Sequence, residues 1–228
     1  MSVLFNYPKK ATFGRVLPKT KIFEHAKPST VLKGLFVRQV DQIVWKYKLA
    51  PETINVPGTK SVPEIQIFTI TLKSGELKED VLRSIDKAIP FPILFEINYD
   101  GKCKAMSCYK RPSEADSTKW VVSDYFGSPW MRDNSPRKSL PITLDLGALY
   151  EELLLSLMPY PARDKEKLPD RVERLSRIRA REKELAKTEA RLAKEKQFNR
   201  KVEINAEIRT MKQQLEQLMG ITAGKKGK

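Results

Sequence analysis

The chain has 228 residues, 40% of them apolar, and 43 Lys or Arg against 28 Asp or Glu, a formal net charge of +15. That length can bury one sizeable core plus an appendage, and with no apolar run of 18 residues no membrane-spanning helix is expected. A single histidine, His25, argues against a histidine-based metal site or a Ser-His triad; no cofactor and no metal are expected.

Taken in order, Met1 to Tyr7 carries Val3, Leu4 and Phe5 and reads as a short edge strand ended by Pro8-Lys9-Lys10. The run through Arg15, Lys19, Lys21 and Lys27 has Phe13 and Phe23 between its charges. It is expected to be a basic loop pinned to the core by those rings, with base stacking as their other use. Pro28-Ser29-Thr30 opens a helix with a hydroxyl N-cap. Leu32, Phe36, Val40, Ile43 and Tyr47 continue one apolar stripe as far as Pro51. Glu64 to Lys73 is a strand with apolar residues on both faces, hence central. Leu77, Val81, Leu82 and Ile85 mark a short amphipathic helix closed by Pro90-Phe91-Pro92.

Phe91 to Phe126 is the organising stretch. Ile93, Phe95, Ile97 and Tyr99 alternate on one face of a strand. Asp100-Gly101 signals a type I′ hairpin turn, which needs φ > 0 at both central residues. That turn sets the register: Phe95 opposite Met106, Glu96 opposite Ala105, Ile93 opposite Cys108. A charged loop follows, from Lys110 and Arg111 through Pro112, Ser113, Glu114 and Asp116 to Lys119, and a third strand runs from Trp120 to Phe126. Gly127 to Lys138 has turn composition, and Ile142 to Leu144 is expected to be a last short strand. Asp145 is the expected N-cap of a helix carrying Leu149, Leu153, Leu154 and Leu157.

From Asp170 to Met219 there is neither Gly nor Pro, and strong helix formers fill the segment. One helix of that length would span roughly 75 Å. Leu175, Ile178, Leu185 and Leu192 form a thin stripe. Ile204, Ile208, Met211, Leu215 and Leu218 alternate steps of four and three, the spacing of a coiled-coil interface. Each stripe is too narrow to stabilise a lone helix, so a hairpin folding back near Phe198-Asn199 is expected. The fold class is therefore α+β: a mainly antiparallel sheet with flanking helices at 1–160, a linker at 161–169, a coiled-coil arm at 170–219, and a basic disordered tail at 220–228.

The charge is uneven. Residues 1–40 hold eight basic side chains and one acidic, residues 161–228 hold twenty and eleven, and the stretch between them is near neutral. Two basic ends on a neutral body suggest a polyanionic partner; the same charges also suit a solvated surface. Candidate nucleic-acid contacts are Lys110, Arg111, Lys119, Arg171, Arg174, Arg177, Arg181, Arg200 and Lys201. Ser113, Glu114, Asp116 and Trp120 belong to the candidate functional loop. A metal-dependent nuclease needs converging carboxylates. Glu64, Glu96, Glu114 and Asp124 lie on or beside strands, but no strand carries an Asp…Glu-x-Lys pattern, and Glu96 reads as a polar position on a half-exposed sheet face. Cys103 and Cys108 sit five apart on one strand and point to opposite faces. With no export signal they suggest a reducing cytoplasm.

Four stretches resemble a known family: Glu64-Ile65-Gln66-Ile67-Phe68, KRPSEADSTKWVVSDYF, SPRKSLPITLDLGALYEELL and EKQFNRKVEINAEIR. Over nearly its whole length the chain resembles the uncharacterised prokaryotic family catalogued as domain of unknown function 4391. That family is similar to components encoded beside superfamily-2 helicases and DNA methyltransferases in restriction-like defence loci. It has no accepted catalytic residues, so the resemblance transfers none. The expected function is a non-enzymatic accessory subunit that binds nucleic acid, DNA first, and/or a helicase or methyltransferase subunit. Self-association through the arm is a further expectation. The alternative is a metal-dependent nuclease.

Overall fold

The structure, a computed structural model, describes residues 3–113 and 120–220. They form two compact units, Met1–Met158 and Pro159–Lys228. No described helix is long and apolar enough to cross a membrane. Glu114, Asp116 and Lys119 of the expected functional loop, and the expected basic tail beyond Gly220, lie outside the described residues.

The first unit is α+β. Its main sheet runs in the order β2 (Thr12–Val16), β3 (Val40–Leu49), β4 (Ile65–Leu72), β5 (Ile93–Tyr99), β6 (Lys102–Pro112), β7 (Trp120–Gly127), with β8 (Met131–Arg132) also on β6. Among the described residues of this main sheet only β4 and β5 pair in parallel, which requires the crossover that α4 (Glu79–Ala88) provides. The expected central strand is thus central. Asp100 at φ 47° and Gly101 at φ 66° make the tight turn between β5 and β6, and Phe95 pairs with Met106 and Glu96 with Ala105 as the turn requires.

One face of the sheet presents Phe68, Ile70, Phe95, Ile97 and Cys108. It packs under Ile22 of α1 (Lys19–Ala26), Phe36 of α2 (Thr30–Gln39) and Val81, Leu82 and Ile85 of α4. Across the other face, α5 (Leu146–Leu155) reaches β6, and Asp145 caps it by accepting from Ala148 N at 2.8 Å. A one-turn helix, α3 (Pro51–Ile54), follows β3, and a two-stranded parallel sheet joins β1 (Phe5–Asn6) to β9 (Lys138–Ser139).

Three sequence expectations need correction. The helix opened by Ser29, whose Oγ accepts from Leu32 N at 3.3 Å, stops at Gln39. Val40, Ile43 and Tyr47 belong to β3, with Ile43 opposite Ile70 and Trp45 opposite Phe68. Val40, Ile43, Val44, Trp45 and Tyr47 are β-branched or aromatic and favour a pleated surface, while two register shifts in β3 make its apolar spacing imitate a helix. The basic N-terminal run is β2 and α1 rather than a loop. Its rings do tether it: Phe13 lies 3.9 Å from Trp45 and Phe23 meets Phe36 edge-on at 5.2 Å. Finally, Ile142 to Leu144 is not a strand, and Ile142 and Leu144 are exposed. Pro141 has no N–H to give a ladder, and pairing ends at Ser139.

The second unit is a helical arm. α6 (Leu168–Lys194) and α7 (Phe198–Met219) are separated by residues 195–197, so the chain folds back where the apolar phase breaks. Ile204, Ile208, Met211 and Leu215 of α7 are buried, as are Leu168, Leu175 and Ile178 of α6, and the two helices are in contact. Lys212 to Glu189 at 2.9 Å and the Arg191–Glu207 pair show them antiparallel. Leu218 is half-buried at the end of the row.

Candidate functional site

The two ends of the charged loop meet. Lys110, near the end of β6, and Trp120, at the start of β7, come together with the Lys110 ammonium 5.9 Å from the Trp120 ring centre. The expectation that Lys110 contacts phosphate is overturned, because its side chain is 0% exposed. Met106, Cys108 and Lys110 share one face of the strand, and that face is the core. The ammonium donates to the backbone oxygens of Asp86 (2.6 Å) and Ile89, and to Asp86 Oδ1 (3.3 Å). All three of its protons are used. It both neutralises a buried carboxylate and caps the last carbonyls of α4, where the helix dipole favours a cation.

Asp86 is the hub. Its Oδ2 accepts from the Tyr125 hydroxyl and from Cys108 Sγ at 3.6 Å. Tyr150 of α5 adds a bridge on β6, accepting from Lys110 N at 2.9 Å and donating to the Cys108 carbonyl. Burial raises the Asp86 carboxyl and lowers the Lys110 ammonium from their ordinary values, each opposed by the partner's charge. Burial also pushes up the Cys108 thiol and the Tyr125 phenol. Beside this cluster is a cavity of about 510 Å³ lined by His25, Asp86, Lys87, Pro90, Trp120 and Val122 among others. Arg111 and Ser113 are half-buried, and Arg111 Nη1 reaches Pro112 O at 3.4 Å.

On the sheet's other face, Arg137 grips Glu96 bidentately (2.7 and 2.8 Å) and donates to Phe5 O at 2.9 Å. Glu96 is 2% exposed rather than half-exposed: the segment bearing Arg137 covers it. Those hydrogen bonds raise the Arg137 guanidinium further above its ordinary value. Among the described residues no group of three or more His, Cys, Asp or Glu side chains is placed to hold a metal ion.

In the second unit the candidate arginines divide. Arg171 and Arg174 are buried and structural, which corrects their assignment as nucleic-acid contacts. Arg171 Nη2 donates to Tyr160 O at 2.7 Å. Arg174 holds Glu166 bidentately (2.6 and 2.8 Å) and donates to Pro161 O and Leu218 O. Charge-assisted pairing with Arg174 keeps the Glu166 carboxyl below its ordinary value. Arg177 and Arg181 are exposed, with Glu173 and Glu184 as their respective partners. Together with Arg163, Gln214, Gln217 and Leu218 they line a concavity of about 650 Å³. Arg163 also caps the end of α7, donating to the carbonyls of Gln217 (2.8 Å) and Leu218 (3.1 Å). Arg200 and Lys201 are exposed at the opposite, turn end of the arm. Ile204, Ile208, Met211 and Leu215, the candidate coiled-coil interface, are the seam between α6 and α7.

Sequence reasoning missed Asp86, Tyr125, Tyr150 and Arg163. The hairpin register carried a usable signal for Asp86 alone: it put a lysine two residues beyond Cys108 on the core face, and a buried lysine needs a carboxylate. Nothing in the spacing singled out Tyr125, Tyr150 or Arg163. The model of a family described as a domain of unknown function (DUF4391) matches residues 5–215. No curated protein and no solved structure matches the chain.

Proposed function

We propose that this chain, which belongs to the DUF4391 family, is a non-enzymatic accessory subunit that holds nucleic acid, DNA first, for a helicase or DNA methyltransferase partner in a restriction-like defence system. The observation that carries the binding half is the concavity where Arg163, Arg177 and Arg181 converge beside Gln214 and Gln217. Guanidinium groups offer planar donors matched to phosphate oxygens, and the amides add donors and acceptors for sugar or base edges. The uneven charge supports the same reading, since twenty basic residues of 161–228 face eleven acids. The defence setting and the helicase or methyltransferase partner rest on the family resemblance alone.

Binding should be weak, largely indifferent to sequence and strongly salt-dependent. In fluorescence anisotropy with a duplex of about 30 base pairs at about 50 mM salt, Arg177→Gln with Arg181→Gln should weaken binding about tenfold. It should also flatten the plot of log affinity against log salt by about two units, one per lost phosphate contact. An unchanged slope removes the concavity as the interface, and no binding by the wild type removes direct contact altogether. Plasmid cleavage with Mg²⁺ or Mn²⁺, lost in Glu114→Ala or Asp116→Ala, would replace the accessory reading with a metal-dependent nuclease.

A further inference from the structure

The turn end of the arm carries an apolar feature that its own packing does not use. Phe198 is 78% and Val202 54% exposed, the exposed large hydrophobics of the described second unit. At 100° per residue they lie roughly 120–160° around α7 from the row that starts at Ile204, so they point away from the α6 seam. They stand one turn apart and form a single ridge.

The surroundings of that ridge are cationic. Lys194, Lys196, Arg200 and Lys201 are exposed around it. The one acid in the stretch 194–202, Glu195, is turned onto the backbone: its Oε1 accepts from Lys196 N (2.8 Å) and Gln197 N (3.0 Å). The start of α7 adds the positive end of a 22-residue helix dipole. Gln197 and Asn199, both exposed, flank the ring with hydrogen-bonding amides.

We propose that this end of the hairpin, Lys194 to Val202, is a contact site for single-stranded nucleic acid, with Phe198 stacked on a base and Lys194, Lys196 and Lys201 on phosphates. The proposal deepens the nucleic-acid reading above and rests on it. An exposed ring set among cations is how sequence-tolerant single-strand sites are built, because every base has a π-face. A duplex keeps its bases stacked and offers the ring nothing. A protein groove takes a longer row of apolar anchors, and this row ends after two: the next positions on it are Asn205, Ala206 and Arg209. Two side chains are also too little apolar area for a lipid surface.

The turn end is separable from the arginine concavity, since Arg177 and Lys194 lie roughly 26 Å apart along α6. The test uses the full chain, a fluorescein-labelled oligothymidine of about 20 nucleotides and its duplex with oligoadenosine. Phe198→Ala should weaken single-strand binding about tenfold, Phe198→Trp should restore it, and duplex affinity should change less than twofold in both. Phe198→Leu keeps the apolar contact without the ring and should behave like alanine; if it binds like wild type, stacking is overturned. If Phe198→Ala binds both probes normally while Arg177→Gln with Arg181→Gln does not, this proposal falls and the nucleic-acid reading stands. If the wild type binds neither probe, both fall. The ring is exposed, so unchanged circular dichroism is expected in all three Phe198 variants.

Discussion

Replacing Lys110 by Met tests whether the buried pair is a stabilising structural element. The substitution keeps length and apolar stem but removes the charge that faces Asp86, whose side chain is 0% exposed. Among the described residues, only the Tyr125 hydroxyl and the Cys108 thiol would then face the carboxylate. Breaking a buried pair from one side costs about 3–5 kcal/mol. For a unit of this size that corresponds to a fall in Tm of about 6–20 °C. Adding Asp86→Asn removes the orphaned charge and keeps an acceptor for Tyr125. What remains is the loss of two capped carbonyls, about 1–3 kcal/mol together, so the double variant should recover about 2 kcal/mol. The pH dependence follows from the raised Asp86 carboxyl. A folded acid with a raised pKa binds its proton more tightly than the unfolded chain does, so its penalty is absent below the ordinary carboxylate value. The penalty then grows as pH rises above that ordinary value and levels off once pH passes the raised one. The deficit of Lys110→Met should therefore be smaller at pH about 4 than at pH about 8. Urea unfolding followed by circular dichroism at both pH values measures it. A single variant within about 1 kcal/mol of wild type, or a double variant no better than the single, refutes the reasoning.

Two further outcomes test the frame. Gly101→Val puts a β-branched residue at φ 66°, costing about 1–3 kcal/mol although nothing lies within 4 Å of the added Cβ; an unchanged melting temperature would contradict the tight turn and its register. Ile208→Asp with Leu215→Asp sets two carboxylates in the α6–α7 seam, where unpaired charge is strongly unfavourable; helix content of the arm and any self-association should fall while the sheet signal persists, as followed by circular dichroism and light scattering.

The parts legible in the sequence were those with one dominant local cause. Asp100-Gly101 dictates its own turn, and the alternating Ile93, Phe95 and Ile97 can face only one way once the turn is set. The Ile204 to Leu215 row demanded a helical partner, and α6 supplies it. Val40 to Leu49 was misread because register shifts broke its two-residue period, so tertiary pairing decided what spacing could not. Lys110 was read by its charge alone, as a loop residue, although its parity with Met106 and Cys108 already placed it inward. Arg171 and Arg174 were misjudged for a related reason: the carbonyls and carboxylate that hold them come from Tyr160, Pro161 and Glu166, a stretch read as mere spacer.

The parallel pairing of Phe5 with Lys138 and Asn6 with Ser139 has a kinetic side. During synthesis the first strand emerges long before its partner exists. At roughly 5–20 residues per second the delay is about 7–27 s. Through that interval Leu4 and Phe5, both 1% exposed in the finished unit, lack the strand that pairs beside them, and Glu96 has no Arg137. The β5–β6 hairpin, closed by its own tight turn, can form at once. Completion of the first unit therefore waits on residues 137–139, and a nascent chain arrested before them would present its basic N-terminal segment and an apolar strand edge to whatever holds it.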